Sequence, residues 1–191
     1  MLKKIISMFL FCSLFMVSQA HALSIQLAPS DANITAGENF TIDVVASGIF
    51  DGLFFDEVIA FGFDVNVADT SLLAYTGATV NSFFWDDSAS FGNTDVAGSA
   101  FPGVTDNQIT LATLSFTALT NGMTTLGIFS DLGDWNEGLI YAFNGPVNLT
   151  TYLDLSVSPN SAPVPEPATI FLFTSGLAGL AGVARKKRQK S

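Results

Sequence analysis

The chain has 191 residues and a formal net charge of −10, with seven Lys and Arg against seventeen Asp and Glu, a single His and a single Cys. The basic residues lie only at the two ends, Lys3 and Lys4 and then Arg185 to Lys190, whereas every acid falls between Asp31 and Glu166. A middle stretch without one basic side chain repels phosphate backbones and has no arginine fork for a base edge, which excludes nucleic acid as a partner.

Residues 1–22 have the layout of a secretory signal peptide. Lys3 and Lys4 precede the uncharged run Ile5 to Ala20, and the small-x-small triplet Ala20-His21-Ala22 places cleavage after Ala22. Cys12 sits inside the apolar run rather than at the cleavage point, which argues against a lipoprotein. Removal of the signal takes away Cys12 and His21 together. The mature chain then has no disulfide, no thiol nucleophile, no histidine zinc site and no Ser/His/Asp triad. With no cationic side chains beside them, its carboxylates are neutralised by hydrogen bonds, protons or external cations, of which calcium suits an exported protein.

Residues 23–159 read as one domain, long enough for a core without disulfides. Phe40, Ile42 and Val44 alternate with polar positions after the turn Ala36-Gly37-Glu38-Asn39, and Ile59, Phe61, Phe63 and Val65 alternate with Ala60, Gly62, Asp64 and Asn66. These are the two clearest strands. Gly48 to Glu57 between them is a loop. A short strand over 72–75 ends at a Gly77 turn, and 81–108 holds so many turn formers that it reads as a long loop or several short strands. In Ile109 to Thr117 the apolar phase changes between Leu111 and Leu114, which predicts a bulge or a strand buried on both faces. Asn121-Gly122 is a turn, and strands follow around Leu126 and Ile128, at 139–143 and at 152–157. Seven to nine short strands without a helical stripe predict an all-β antiparallel sandwich, with a small barrel left open because periodicity does not fix connections.

The tail has three parts. The stretch 160–167, with three prolines in eight residues, is an extended linker. Residues 168–184 are uncharged and predict a single transmembrane helix of roughly 26 Å, at the lower limit for a bilayer core. Arg185, Lys186, Lys187 and Arg188 in the segment 185–191 form a basic stop on the cytoplasmic side. The order Val164, Pro165, Glu166, Pro167, apolar stretch, basic cluster resembles the PEP-CTERM sorting domain of Gram-negative bacteria. That resemblance implies an exosortase as processing partner, the inner membrane as a temporary anchor with the domain outside the cytoplasm, and delivery to the cell surface or extracellular matrix of bacteria that make exopolysaccharide and biofilm. A second resemblance runs through Ala36 to Val44, Ile59 to Val65, Leu72-Leu73 and Ile109 to Phe116, which are similar to cohesin-like sandwich domains. It implies a jelly roll with a binding or scaffold role.

Three acidic groups are candidates for calcium: Asp51, Asp56 and Glu57; Asp86, Asp87 and Asp95 with Asn93; and Asp131, Asp134 and Glu137 with Asn136. Calcium needs six to eight oxygens, which such loops supply, but none has EF-hand spacing. Solvated loops are the plain alternative. Phe83, Phe84, Trp85 and Trp135 read as core or rim packing, with sugar binding as the alternative. The sequence thus predicts a noncatalytic surface or matrix protein with no catalytic residues. The competing readings are a carboxylate-dependent glycan-active enzyme, which needs only paired Asp or Glu, and a calcium-dependent carbohydrate-binding module.

Overall fold

The structure, a computed structural model, describes residues 23–53, 55–160 and Phe173. The expected signal peptide, the sorting motif and the basic stop lie outside the described residues. Twelve strands follow in order: β1 Ser24–Pro29, β2 Ile34–Thr35, β3 Asn39–Ser47, β4 Val58–Val67, β5 Leu73–Val80, β6 Trp85–Asp86, β7 Val96–Val104, β8 Gln108–Ala118, β9 Gly122–Phe129, β10 Gly138–Tyr141, β11 Gly145–Val147 and β12 Thr151–Ser158. One 3-10 turn at Ser88–Ser90 is the only helical element among the described residues of the domain.

The strands form two sheets. One has the order β1-β3-β8-β5, and the other runs β11-β10-β4-β9-β12-β2 with β7 paired to β4 and β6 paired to β7. Alternation drives the packing, because successive side chains on a strand face opposite ways. Phe40, Ile42, Val44 and Ala46 of β3 point into one core with Phe61 and Phe63 of β4, Leu126 and Ile128 of β9, and Leu155 and Val157 of β12. Phe116 of β8 stacks on Phe40 at 5.7 Å and meets Tyr75 at 5.6 Å. The whole buried core lies between Leu27 and Val157, so this segment has a core of its own.

The phase change expected in β8 is a bulge. Val44 pairs with Ala112 and Val45 with Thr110, so Leu111 is the extra residue, and Ile109, Leu111, Ala112, Leu114 and Phe116 are all buried. Three expectations differ. Ile59 does not join Phe61 and Phe63 in the core; the pairing of β4 with β7 is irregular between Val58 and Ala60, and Val58 is buried in its place. Gly77 does not end β5 but sits in a bulge between Tyr75 and Gly77, at φ 140°, and the strand continues to Val80. The pairing is not wholly antiparallel, since β2 runs parallel to the end of β12 through Val157↔Ile34 and Ser158↔Thr35.

The expected transmembrane helix is a correction as well. Among the described residues no helix is long and apolar enough to cross a membrane. Apart from Phe173, residues 168–184 lie outside the described residues. The fold class that the described residues show is therefore an all-β sandwich without a spanning helix, and they support neither the inner membrane as partner nor inner-membrane anchoring. The physical reason is in the sequence. Seventeen uncharged residues are at the lower limit of what a bilayer core takes, about 17–25, and Gly176, Gly179 and Gly182 among them lower the helix propensity of the run.

Candidate functional site: an acidic cleft and an exposed sheet face

The pairing of β4 produces the site. Asp64 of β4 pairs with Phe129 and Gly62 with Gly138, so two steps along β4 correspond to nine along the chain segment opposite, and 130–137 is extruded as a loop. Asx turns shape it: Asp131 accepts from the Gly133 N–H at 2.8 Å and Asp134 from the Asn136 N–H at 3.0 Å. The loop folds over the outer face of β4 at Gly62. A Cβ there would stand 1.9 Å from the Asn136 carbonyl oxygen, so only glycine permits the close approach.

Beneath the loop, Asn93 and Asp95 of the second acidic group come together with residues of the third. Asn93 donates its amide to Asp134, Thr94 donates its hydroxyl to Glu137 at 3.4 Å, and the Asp131 N–H donates to the other Glu137 oxygen. Asp64 joins from β4, accepting from the Asp95 N–H at 3.2 Å, while Asp95 accepts from the Val65 N–H at 2.8 Å. An open cleft of about 480 Å³ lies here, lined by Asp64, Asn66, Asn93, Thr94, Asp95 and Phe129. Burial pushes the Glu137 carboxyl above its ordinary range, and Asp64 and Asp134 push it further; burial likewise raises Asp64, reinforced by Asp95 and Asp134.

The other predicted acids stand apart. Asp86 accepts from the Ser88 N–H and hydroxyl, and Asp87 from the Ser99 hydroxyl, so both shape the β6–β7 turn. Asp51 accepts from the Asn107 amide at 3.1 Å. Asp56 accepts from the N–H groups of Glu57, Phe143 and Asn144 and from the Asn144 amide, closing the β10–β11 turn. Burial alone would raise the Asp56 carboxyl, but the Asn144 side chain and these backbone donors outweigh it and hold it below the ordinary value. Glu57 lies against Gly103. Among the described residues no group of three or more His, Cys, Asp or Glu is arranged to hold a metal ion.

Sequence reasoning missed Asp64 and Thr94. Asp64 occupies an outward position of a well-patterned strand, where an acid carries no signal of its own. Of the aromatic residues, Phe84 is in the core, packed edge-to-face on Phe61 at 5.0 Å. Phe83, Trp85 and Trp135 are exposed.

The β-sandwich resembles the fold of cohesin modules. The chain is similar to the cohesin module of a Clostridium perfringens ATCC13124 family 33 glycoside hydrolase at 11% identity and a TM-score of 0.50, covering 72% of this chain and 96% of that one. It is also similar to the seventh ScaB type I cohesin of Pseudobacteroides cellulosolvens, at 12% identity, TM-score 0.42 and coverage of 74% and 96%. A type II cohesin domain from the cellulosome of Acetivibrio cellulolyticus matches at 11% identity and TM-score 0.42, covering 73% and 92%. At such identity the likeness concerns the fold alone. Beyond the sandwich, residues 163–188 match the PEP-CTERM protein-sorting motif. The chain thus joins a cohesin-like β-sandwich to a C-terminal PEP-CTERM motif. No curated protein matches it.

Proposed function

We propose that this protein is exported, is processed by an exosortase at its PEP-CTERM tail, and acts at the cell surface or in the extracellular matrix as a noncatalytic structural or binding module associated with exopolysaccharide. The observation that carries this reading is the position of the motif. It begins at residue 163, and the last strand of the sandwich ends at Ser158, so the address follows the domain directly. Val164, Pro165, Glu166 and Pro167 act in this reading as recognition residues, and Arg185, Lys186, Lys187 and Arg188 as the basic end of the same signal.

The experiment compares producing cells carrying the wild-type chain with cells carrying Glu166→Ala/Pro167→Ala. The wild type should be shortened and recovered from the surface or the medium, and the double variant should keep its full mass and stay with the cell. Identical mass and distribution of the two would sink the processing step. Calcium is a separate test at the acidic cleft, whose lining holds the carboxylates of Asp64 and Asp95, with Asp134 near enough to act on Asp64, in a domain without a cationic side chain. A calcium titration that leaves Tm unchanged removes the cation from the reading.

A further inference from the structure

We propose that the outer face of the larger sheet holds a trough for a neutral polysaccharide, bordered by Trp85 and Trp135. The strand registers define it. Trp85 pairs with Ser99, Ser99 with Ala60, Ala60 with Ile140, and Ile140 with Pro146. Residues opposite one another in antiparallel strands project from the same face, so this row crosses five strands and has two small side chains at its middle. At about 4.8 Å per strand, Trp85 and Ile140 stand roughly 14 Å apart across that floor. Phe61 settles which face it is. It follows Ala60 on β4 and is in the core at 1% exposure, so Ala60 and the residues paired with it point the opposite way, and Trp85 in that row is 64% exposed. The loop that folds over Gly62 borders the floor two residues along β4 from Ala60 and carries Trp135, which is 94% exposed.

Both tryptophans of the chain therefore stand in solvent beside a floor without bulk. Exposed aromatic groups gathered in this way mark an interaction site. A sugar ring offers an apolar C–H face that packs on an indole and a rim of hydroxyl donors that need acceptors. Asp87 is such an acceptor beside the row, since it takes one bond from the Ser99 hydroxyl and a carboxylate has about four lone-pair sites. Charge selects among glycans. All seventeen acids of the chain lie between Asp31 and Glu166 without one basic residue, so a polyanionic glycan or a second copy of the domain meets repulsion. The trough names the ligand of the noncatalytic surface module proposed above and rests on that reading only for its setting. It is tested on purified protein, so a failure of sorting in cells leaves it standing, and its own failure leaves sorting untouched.

The test is affinity electrophoresis of the purified full-length protein through gels containing a neutral glucan, mannan or galactan, with the fluorescence of the two tryptophans followed in parallel. At least one polymer should retard the protein, the retardation should persist at high salt, and the emission should move to the blue. Trp85→Ala and Trp135→Ala should each weaken retention about tenfold, the scale of one lost aromatic contact, with Tm unchanged. Ala60→Phe, which fills the floor and keeps both tryptophans, should abolish retention. No retardation by any of the three polymers overturns the proposal. So does retention that survives in the double tryptophan variant, or retention lost at high salt, which packing of a neutral sugar on an indole does not produce.

Discussion

Replacing Gly62 by alanine tests how the cleft is built. The new methyl would sit 1.9 Å from the Asn136 carbonyl oxygen and 3.3 Å from Thr94 Cγ2. An ordinary contact begins at 3.4 Å, so the loop backbone must rise by about 1.5 Å. A backbone carbonyl cannot rotate away as the tip of a long side chain can, and overpacking of this kind costs about 1–3 kcal/mol. For a domain of this length that lowers Tm by roughly 4–12 °C. The lifted loop would also loosen the bonds that Glu137 receives from Asp131 and Thr94, so amide exchange at 131–137 should quicken while that of β3 and β8 holds. The control is Gly92→Ala at the rim of the same cleft, where an added Cβ meets nothing within 4 Å; its Tm should stay within about 2 °C of the wild type or rise slightly. Urea unfolding curves for Gly62→Ala and Gly92→Ala that coincide would refute the account of loop 130–137 lying on β4.

Three further outcomes are expected. Asp56→Ala removes the acceptor of three backbone N–H groups and the Asn144 amide, and should lower urea-measured stability by about 2–4 kcal/mol. Because the Asp56 carboxyl is held below its ordinary value of 3.8, its contribution is present above that pH and is lost as pH falls through the lower folded value. Glu137 works in the opposite direction: its folded pKa is raised above 4.5, so the folded protein takes up its proton first and gains stability as pH falls from neutrality toward 4.5. Glu137→Gln should flatten that gain in a pH series of thermal melts, and an unchanged slope would refute the assignment. Phe116→Ala empties a fully buried site between Phe40 and Tyr75 and should cost about 3–5 kcal/mol; a loss under about 1 kcal/mol would mean that the two sheets do not meet there.

Local pattern carried the architecture a long way. The alternation of Phe40, Ile42 and Val44, and of Phe61, Phe63 and Val65, gave strand faces because a period of two leaves only one way to turn three alternate apolar residues toward a core. The phase slip between Leu111 and Leu114 gave the bulge for the same reason, and the absence of basic residues between Asp31 and Glu166 set the electrostatics. The order of Pro165, Glu166, Pro167, apolar stretch and basic cluster identified the sorting motif, which is a linear signal and needs no fold to be read.

What the sequence could not decide was which loops meet. Asn93 and Asp134 are 41 residues apart, and Thr94 and Glu137 are 43 apart; they touch because β7 and β10 both pair with the same stretch of β4. Asp64 enters the cleft for the same reason, although its place on an alternating strand looks like ordinary solvent exposure. The row from Trp85 to Pro146 likewise exists only across five strands drawn from distant parts of the chain. Periodicity reports the face of one strand. Strand pairing, which depends on the shared core and on where the bulges fall, decides which faces become neighbours, and so only the tertiary structure assembled the cleft and the trough.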